Sequence, residues 1–242
     1  AGKCFGINED KEGRIYLNPQ SWSLMSGVAS TAKQFSILNA VEKQLNTPFG
    51  MMMLAPSYTQ MREDIGRITQ KYPGVAENGS VYNHAAIFYA YSLYQIGEGN
   101  QAFQVLRKML PNEDDLLVRG QLPTFIPNYY RGAYYQLPET AGRSSHLMNT
   151  GTVSWFYRCI IEELCGLKGR AGELIIQPKL PDSVNKLAGN RQFLGAQFDF
   201  AITKTETKKI QIMLNDRLLD TNRVTDIESG KRYQLDIRVP NE

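Results

Sequence analysis

The stretch Thr152-Val-Ser-Trp-Phe-Tyr-Arg-Cys-Ile-Ile-Glu-Glu-Leu-Cys165, followed by Gly166-Leu-Lys-Gly-Arg-Ala-Gly172 and Glu173-Leu-Ile-Ile-Gln-Pro178, is where this chain changes character. In the first part, Val153, Phe156, Tyr157, Ile160, Ile161 and Leu164 recur every three or four residues, the period of a helix with one apolar face. After Gly172 the period shortens to two. Phe198, Phe200 and Ile202 alternate with Gln197, Asp199, Ala201 and Thr203, as in a strand with one buried face. Upstream, helical spacing predicts helices over 22–29, 31–45, 81–96 and 101–110. The expected fold is therefore mainly α followed by β, with an α domain over 1–167 and a β domain over 168–242.

Two connections support this division. Gly97-Glu-Gly-Asn100 fits a tight turn between antiparallel helices, and Thr47-Pro-Phe-Gly50 ends a helix because proline lacks the amide a further turn requires. The 81–96 segment is apolar or aromatic nearly all round, with Ile87, Phe88, Tyr89, Tyr91 and Tyr94, which predicts a helix buried on most sides. The tyrosine-rich stretch from Pro111 to Ser145, poor in helical period, reads as a long loop whose rings wall a sugar site.

Composition narrows the function classes. At 42% hydrophobic and 21% charged, the chain has the apolar material for a folded core. A net charge of +3, with lysines and arginines scattered among acids after Lys168, argues against nucleic acid as a partner. No apolar run approaches the ~18 residues of a membrane span, and Ala1-Gly-Lys-Cys-Phe-Gly6 lacks the pattern of a signal peptide. The odd set Cys4, Cys159 and Cys165, without Cys-x-x-Cys spacing, suggests neither a disulfide framework nor a zinc site and fits a reducing, cytoplasmic setting. No metal site is expected.

Two helix starts attract an oxyanion: Ser80-Val-Tyr-Asn-His84 and Asn149-Thr-Gly-Thr152. The first amides of a helix have no internal partner and sit at the positive end of its dipole. Gly151 lets an anion approach the backbone, Thr150 adds a hydroxyl, and His84 adds an imidazole donor. The same residues also serve as ordinary helix caps, and a lone histidine at a helix start is often satisfied by backbone. Arg143 and His146, just before the second start, contribute positive potential. In Arg62-Glu-Asp-Ile-Gly-Arg-Ile-Thr-Gln-Lys-Tyr-Pro-Gly74, Arg67 and Lys71 are either solvated surface charges or a clamp for an anionic ligand. Glu77 is a candidate hydrogen-bond partner in the same site. Neither Glu162-Glu163 nor Glu113-Asp-Asp115 forms the separated acid and base of an inverting glycosidase.

In one order along the chain stand Tyr16-Leu-Asn-Pro-Gln-Ser-Trp22, Glu77-Asn-Gly-Ser-Val-Tyr-Asn-His84 and Asn149-Thr-Gly-Thr-Val-Ser-Trp155. This order resembles the inverting glycoside phosphorylases of the cellobiose and chitobiose phosphorylase family, from about Arg14 to the carboxyl end. The resemblance implies that His84, Thr150 and Gly151 hold inorganic phosphate, the co-substrate, with no other cofactor. It implies the C-terminal part of an (α/α)6 helical barrel plus a C-terminal β-sandwich-like domain. The family's catalytic general-acid aspartate falls upstream of these residues, so no catalytic residue is expected here.

The same alignment puts Arg67 and Lys71 at the acceptor sugar. This pattern is similar to the members that phosphorolyse cellobionic acid to α-glucose 1-phosphate and gluconate. The partners implied are the aldonic acid disaccharide, phosphate, the missing N-terminal part of the enzyme and a second copy in a homodimer. The isolated chain is expected to be inactive and, with helix faces uncovered, to self-associate. Two other readings stay open: a fragment of a cellobiose- or chitobiose-type phosphorylase, and a non-catalytic carbohydrate-binding module.

Overall fold

The computed structural model describes residues 4–122, 125–147 and 151–241, so Asn149 and Thr150 lie outside the described residues. Two compact units divide the chain, residues 1–156 and 157–242. The structure is mixed, with helices concentrated in the first unit and extended sheets in the second.

In the first unit, α1 (Leu17–Met25) and α2 (Thr31–Gln44) precede α3 (Asn83–Gln95), α4 (Gly99–Met109) and the single turn α5 (Leu116–Arg119). Helix α1 begins five residues before the predicted 22–29 segment. Pro19 falls in its first turn, where a missing N–H costs no hydrogen bond. Ser30 caps α2 by accepting from the Lys33 amide at 3.4 Å.

Helix α3 packs against both α1 and α4. All its residues are buried except His84, Phe88 and Gln95, in keeping with the predicted all-round apolarity. Val81 and Tyr82, predicted as its first residues, instead pair as a short strand with Tyr129 and Tyr130. Helix α4 is one-sided, burying Ala102, Val105, Leu106 and Met109 at helical spacing while Arg107 and Lys108 occupy its last turn.

The tyrosine-rich stretch is not one long loop. It holds α5 and the Tyr129–Tyr130 strand, and Tyr130 is a core residue: its buried hydroxyl donates to the Met109 carbonyl at 2.8 Å and accepts from Gln121 Nε2 at 3.2 Å. Tyr129 stacks on Tyr82 with ring centroids 6.2 Å apart.

The predicted 152–165 helix is an α-helix, α6 (Thr152–Arg158), that widens into a π-helix over Cys159–Leu164, where Cys165 N donates to the Ile160 carbonyl. Ile160 and Ile161 of this segment pack against the core of the second unit. Cys165 belongs to that core and Cys159 is also buried, and burial pushes both thiols up to about 12, so neither ionises near neutrality.

The second unit contains a five-stranded sheet in the order Arg217–Leu218, Gln211–Leu214, Arg232–Pro240, Ala196–Thr205, Lys186–Phe193, and a three-stranded sheet in the order Arg223–Val224, Glu173–Ile176, Leu167–Arg170. Ala196–Thr205 runs parallel to Arg232–Pro240, with Phe200 opposite Leu235, and the other pairings are antiparallel. Phe198, Phe200 and Ile202 are buried as their alternation predicts, and they meet Leu174 and Ile176 of the smaller sheet in one core. Two predicted strands are in fact hairpins. The 193–203 segment turns at Leu194-Gly195 and the 209–219 segment at Asn215-Asp216, each a two-residue loop with positive φ at both positions.

Candidate functional site

His84 stands in the first turn of α3, held by pairing on either side. Asn83 donates its backbone N–H to the Asn128 carbonyl at 3.1 Å, and its side-chain amide donates to the Pro127 carbonyl at 2.7 Å. One turn along, Phe88 lies on the same helix face, with ring centroids 4.8 Å from His84, 5.5 Å from Trp22 and 4.9 Å from Trp155. Trp155 also meets Tyr91 edge to face at 5.3 Å. This aromatic cluster docks the start of α6 against the start of α3, so two segments sixty-odd residues apart in the chain meet at their ends.

The consequence is the close approach of His84 and Gly151. A β-carbon on Gly151 would lie 2.5 Å from His84 Nε2, so only glycine fits with the imidazole where it is. The Gly151 carbonyl accepts from the Trp155 amide at 3.0 Å and from Ser154 Oγ at 2.9 Å. Beside it, Thr152 is 1% exposed and its buried hydroxyl has no hydrogen-bond partner among the described residues. Burial holds the His84 pKa below its ordinary value, so the ring is neutral near pH 7 and carries one N–H to donate. Thr150, predicted to complete this site, lies outside the described residues.

Arg67 and Lys71 bracket a turn of 3-10 helix, Arg67–Gln70. Thr69 knots this turn: its buried hydroxyl donates to the Gly66 carbonyl at 2.8 Å and accepts from the Arg62 amide at 2.8 Å. Lys71 forms an ion pair with Glu77. Burial is the largest single effect on Glu77 and acts to raise its pKa. The Lys71 hydrogen bond, a backbone hydrogen bond and the charges of Lys71 and Arg67 together outweigh it and hold the carboxyl below its usual value. Lys71 also lines an open cleft of about 810 Å³ with Thr59, Gln70, Tyr72 and Gln136. Arg67 is exposed, near enough to Glu77 for its charge to be felt. The side chains of Arg143 and His146 are exposed, while their carbonyls accept from Arg131 and Asn128 at 2.8 and 3.5 Å.

Sequence reasoning assigned no role to Asn78, which organises the cation loop. Fully buried, it accepts the Tyr58 amide at 2.8 Å and donates to the carbonyls of Tyr58 at 2.8 Å and Lys71 at 2.7 Å. An Asn-Gly pair inside Glu77-Asn-Gly-Ser80 was the available signal, since such pairs mark turns. Asn78→Ala removes the partner of three backbone groups, the two of Tyr58 buried and that of Lys71 part-buried. We expect a loss of ~2 to 4 kcal/mol in denaturant unfolding of the chain.

Among the described residues no three His, Cys, Asp or Glu side chains group as metal ligands, and no described helix is long and apolar enough to cross a membrane.

The chain belongs to the Glycosyl hydrolase 94 superfamily, whose catalytic-domain model matches residues 1–166. Among its relatives, the cellobionic acid phosphorylase of Neurospora crassa is 53% identical over 98% of this chain and 30% of its own length. A 3-O-beta-D-glucopyranosyl-beta-D-glucuronide phosphorylase of Paenibacillus borealis is 37% identical over 98% of this chain and 31% of its own. An N,N'-diacetylchitobiose phosphorylase of Vibrio proteolyticus is 27% identical over 83% of this chain and 25% of its own. The chain thus spans less than a third of the length of these relatives.

Proposed function

We propose that this chain carries the phosphate-binding and acceptor-binding parts of an inverting disaccharide phosphorylase that acts on cellobionic acid. The observation that carries the reading is the close approach of the His84 imidazole to Gly151 at the start of α6, which sets a neutral imidazole beside a helix start, where the first amides have no partner within the helix. A phosphate oxygen forms the new bond to the anomeric carbon of the glucosyl unit as the bond to the gluconate oxygen breaks. The leaving oxygen takes a proton, in this reading from a carboxylic acid outside these 242 residues. His84, Thr150 and Gly151 orient the nucleophile, while Arg67 and Lys71 hold the carboxylate of the gluconate half. The products are α-glucose 1-phosphate and gluconate.

The helices of the first unit are, in this proposal, part of an (α/α)6 barrel, and the two sheets of the second unit a sandwich-like domain. Two features favour an acid acceptor over a neutral or N-acetylated one. One is that Lys71, four residues after Arg67, lines the cleft, and the other is that two of the relatives described above are named for acid-containing disaccharides.

With only two histidines in the chain, the C–H resonances of His84 and His146 can be followed individually. A phosphate dianion stabilises the protonated ring, so titration with inorganic phosphate is expected to raise the His84 pKa. The His84→Ala variant is expected to bind phosphate at least about tenfold more weakly. A His84 pKa unmoved by saturating phosphate defeats the proposal. Without ligand, the folded pKa of His84 lies below the unfolded value near 6.5. Its contribution to stability is therefore present above 6.5 and is lost as pH falls through the folded value.

A further inference from the structure

Met61 is the one exposed methionine among the described residues, with 49% of its surface open, whereas Met51, Met52 and Met109 are buried. It lines the same open cleft as Thr69 and Lys71. Its sulfur is covered on one side, where the Thr69 hydroxyl stands 3.3 Å from Sδ. We propose that Met61 is a modification site for peroxides, oxidised from the cleft to a single epimer of methionine sulfoxide while the turn behind it stays folded. This holds whatever ligand the cleft takes.

A thioether sulfur carries two lone pairs, and attack at one or the other gives opposite configurations at sulfur. The Thr69 hydroxyl faces one of them. Thr69 is itself only 4% exposed and is fixed in place, since Oγ1 accepts from the Arg62 amide at 2.8 Å and donates to the Gly66 carbonyl at 2.8 Å. That side of the sulfur is therefore closed to a reagent, and a peroxide arriving through the cleft meets the other lone pair. With hydrogen peroxide, this pair forms a bond to the near oxygen as the O–O bond breaks. The far oxygen takes the proton of the near one and leaves as water, so sulfur gives up two electrons and the peroxide accepts them.

The same geometry lets the loop tolerate the change. The Thr69 hydroxyl has one proton, and the Gly66 carbonyl at 2.8 Å is a nearer and stronger acceptor than the thioether at 3.3 Å. Loss of the sulfur as acceptor leaves the turn of 3-10 helix closed by that hydroxyl and by the Thr69 amide, which donates to the same carbonyl at 3.1 Å. What changes is the cleft wall, where an apolar thioether gives way to a polar sulfoxide. Sulfoxides are enzymatically reducible, so the change is a reversible redox state of the cleft.

The test treats the whole chain with dilute hydrogen peroxide and locates the added oxygen by fragment-ion mass spectrometry. Met61 is expected to oxidise at least about tenfold faster than the buried Met51 and Met52, because susceptibility follows exposure. After digestion, which gives both enzymes equal access, the two epimer-specific classes of methionine sulfoxide reductase are expected to differ. One removes nearly all the oxygen from Met61 and the other nearly none. Chain oxidised in denaturant is expected to yield both epimers, which ties the selectivity to the fold. Protein oxidised at Met61 alone is expected to keep the unfolding midpoint of untreated protein. Equal amounts of the two epimers from the folded chain overturn the proposal, as does a Met61 that reacts no faster than the buried methionines. A midpoint lowered by oxidation at Met61 overturns it as well.

Discussion

Gly132→Ala is expected to destabilise the first unit by ~3 kcal/mol or more and to loosen the cation loop. The reason is steric and lies in the backbone. A β-carbon at position 132 would lie 2.0 Å from the Gly79 carbonyl oxygen and 2.7 Å from the Ser80 α-carbon. No rotamer change relieves a clash with main chain, so the two segments must separate. They are joined by hydrogen bonds that separation would break: Gly132 N donates to the Gly74 carbonyl at 3.0 Å, and Ala133 N to the Gly79 carbonyl at 2.9 Å. Because Glu77 and Asn78 lie between Gly74 and Gly79, the damage extends to the Lys71 ion pair. Denaturant unfolding measures the stability loss, and calorimetry with gluconate tests for the weaker binding that the proposed acceptor role of this loop implies. A variant with wild-type stability would mean that the two strands are not in this register.

The second large effect is expected at Gly166, where the π-helix ends and the second unit's first strand begins. Gly166 has φ +65°, and a β-carbon there would fall 2.0 Å from the Gln177 carbonyl carbon and 2.1 Å from the Pro178 nitrogen. Both a left-handed backbone and the close packing of a neighbouring chain segment therefore demand glycine. The two segments are held by Gln177 N donating to the Gly166 carbonyl at 2.7 Å, which sets the register of Leu167–Arg170 against Glu173–Ile176. Gly166→Ala is expected to cost ~3 kcal/mol or more and to lower the unfolding midpoint of the second unit. Fluorescence is poorly placed to see this, since both tryptophans, Trp22 and Trp155, lie in the first unit. Far-ultraviolet circular dichroism follows the sheets directly.

Much of the fold was legible from periodicity alone. The three-to-four spacing that predicted helices over 31–45 and 101–110 arises from burying one face, and burial is what the structure shows at Ile37, Val41, Val105 and Leu106. The alternation around Phe200 is equally plain, because a strand with one face in a core has no other way to sort its side chains. Where the period was broken by local chemistry, the reading slipped. Val81 and Tyr82 continue the apolar pattern of α3, yet a partner strand more than forty residues away captures them. Leu194-Gly195 and Asn215-Asp216 interrupt their segments with tight turns, which a pattern of apolar positions does not register. The widening into a π-helix at Cys159 is invisible to periodicity for a related reason, since a single extra residue per turn shifts the stripe only slightly.

The candidate site divides in the same way. His84 and Gly151 were singled out by their motifs, and the structure brings these two together; Arg67 and Lys71 were singled out by the family resemblance, since spacing alone suits solvated charges equally well. Asn78 and Glu77 acquire their importance only from what they touch. A buried asparagine bonded to two carbonyls and an amide is a tertiary fact, because its partners Tyr58 and Lys71 are brought to it by separate turns of chain. The same holds for Tyr130, whose position in an aromatic-rich stretch suggested a sugar wall and whose burial makes it a core residue instead.

By itself, then, the order of residues determined the succession of helices and strands and singled out the groups proposed here to bind phosphate and a sugar acid. Periodic burial and the chemistry of side chains are local properties, carried wherever the chain goes. The tertiary structure alone decided which of those groups meet. The packing of Phe88 against Trp22 and Trp155 sets His84 on Gly151, and the knot around Asn78 sets Glu77 on Lys71. Such contacts depend on long-range packing, in which each residue's neighbours are chosen by the shape of the whole unit and not by its place in the chain.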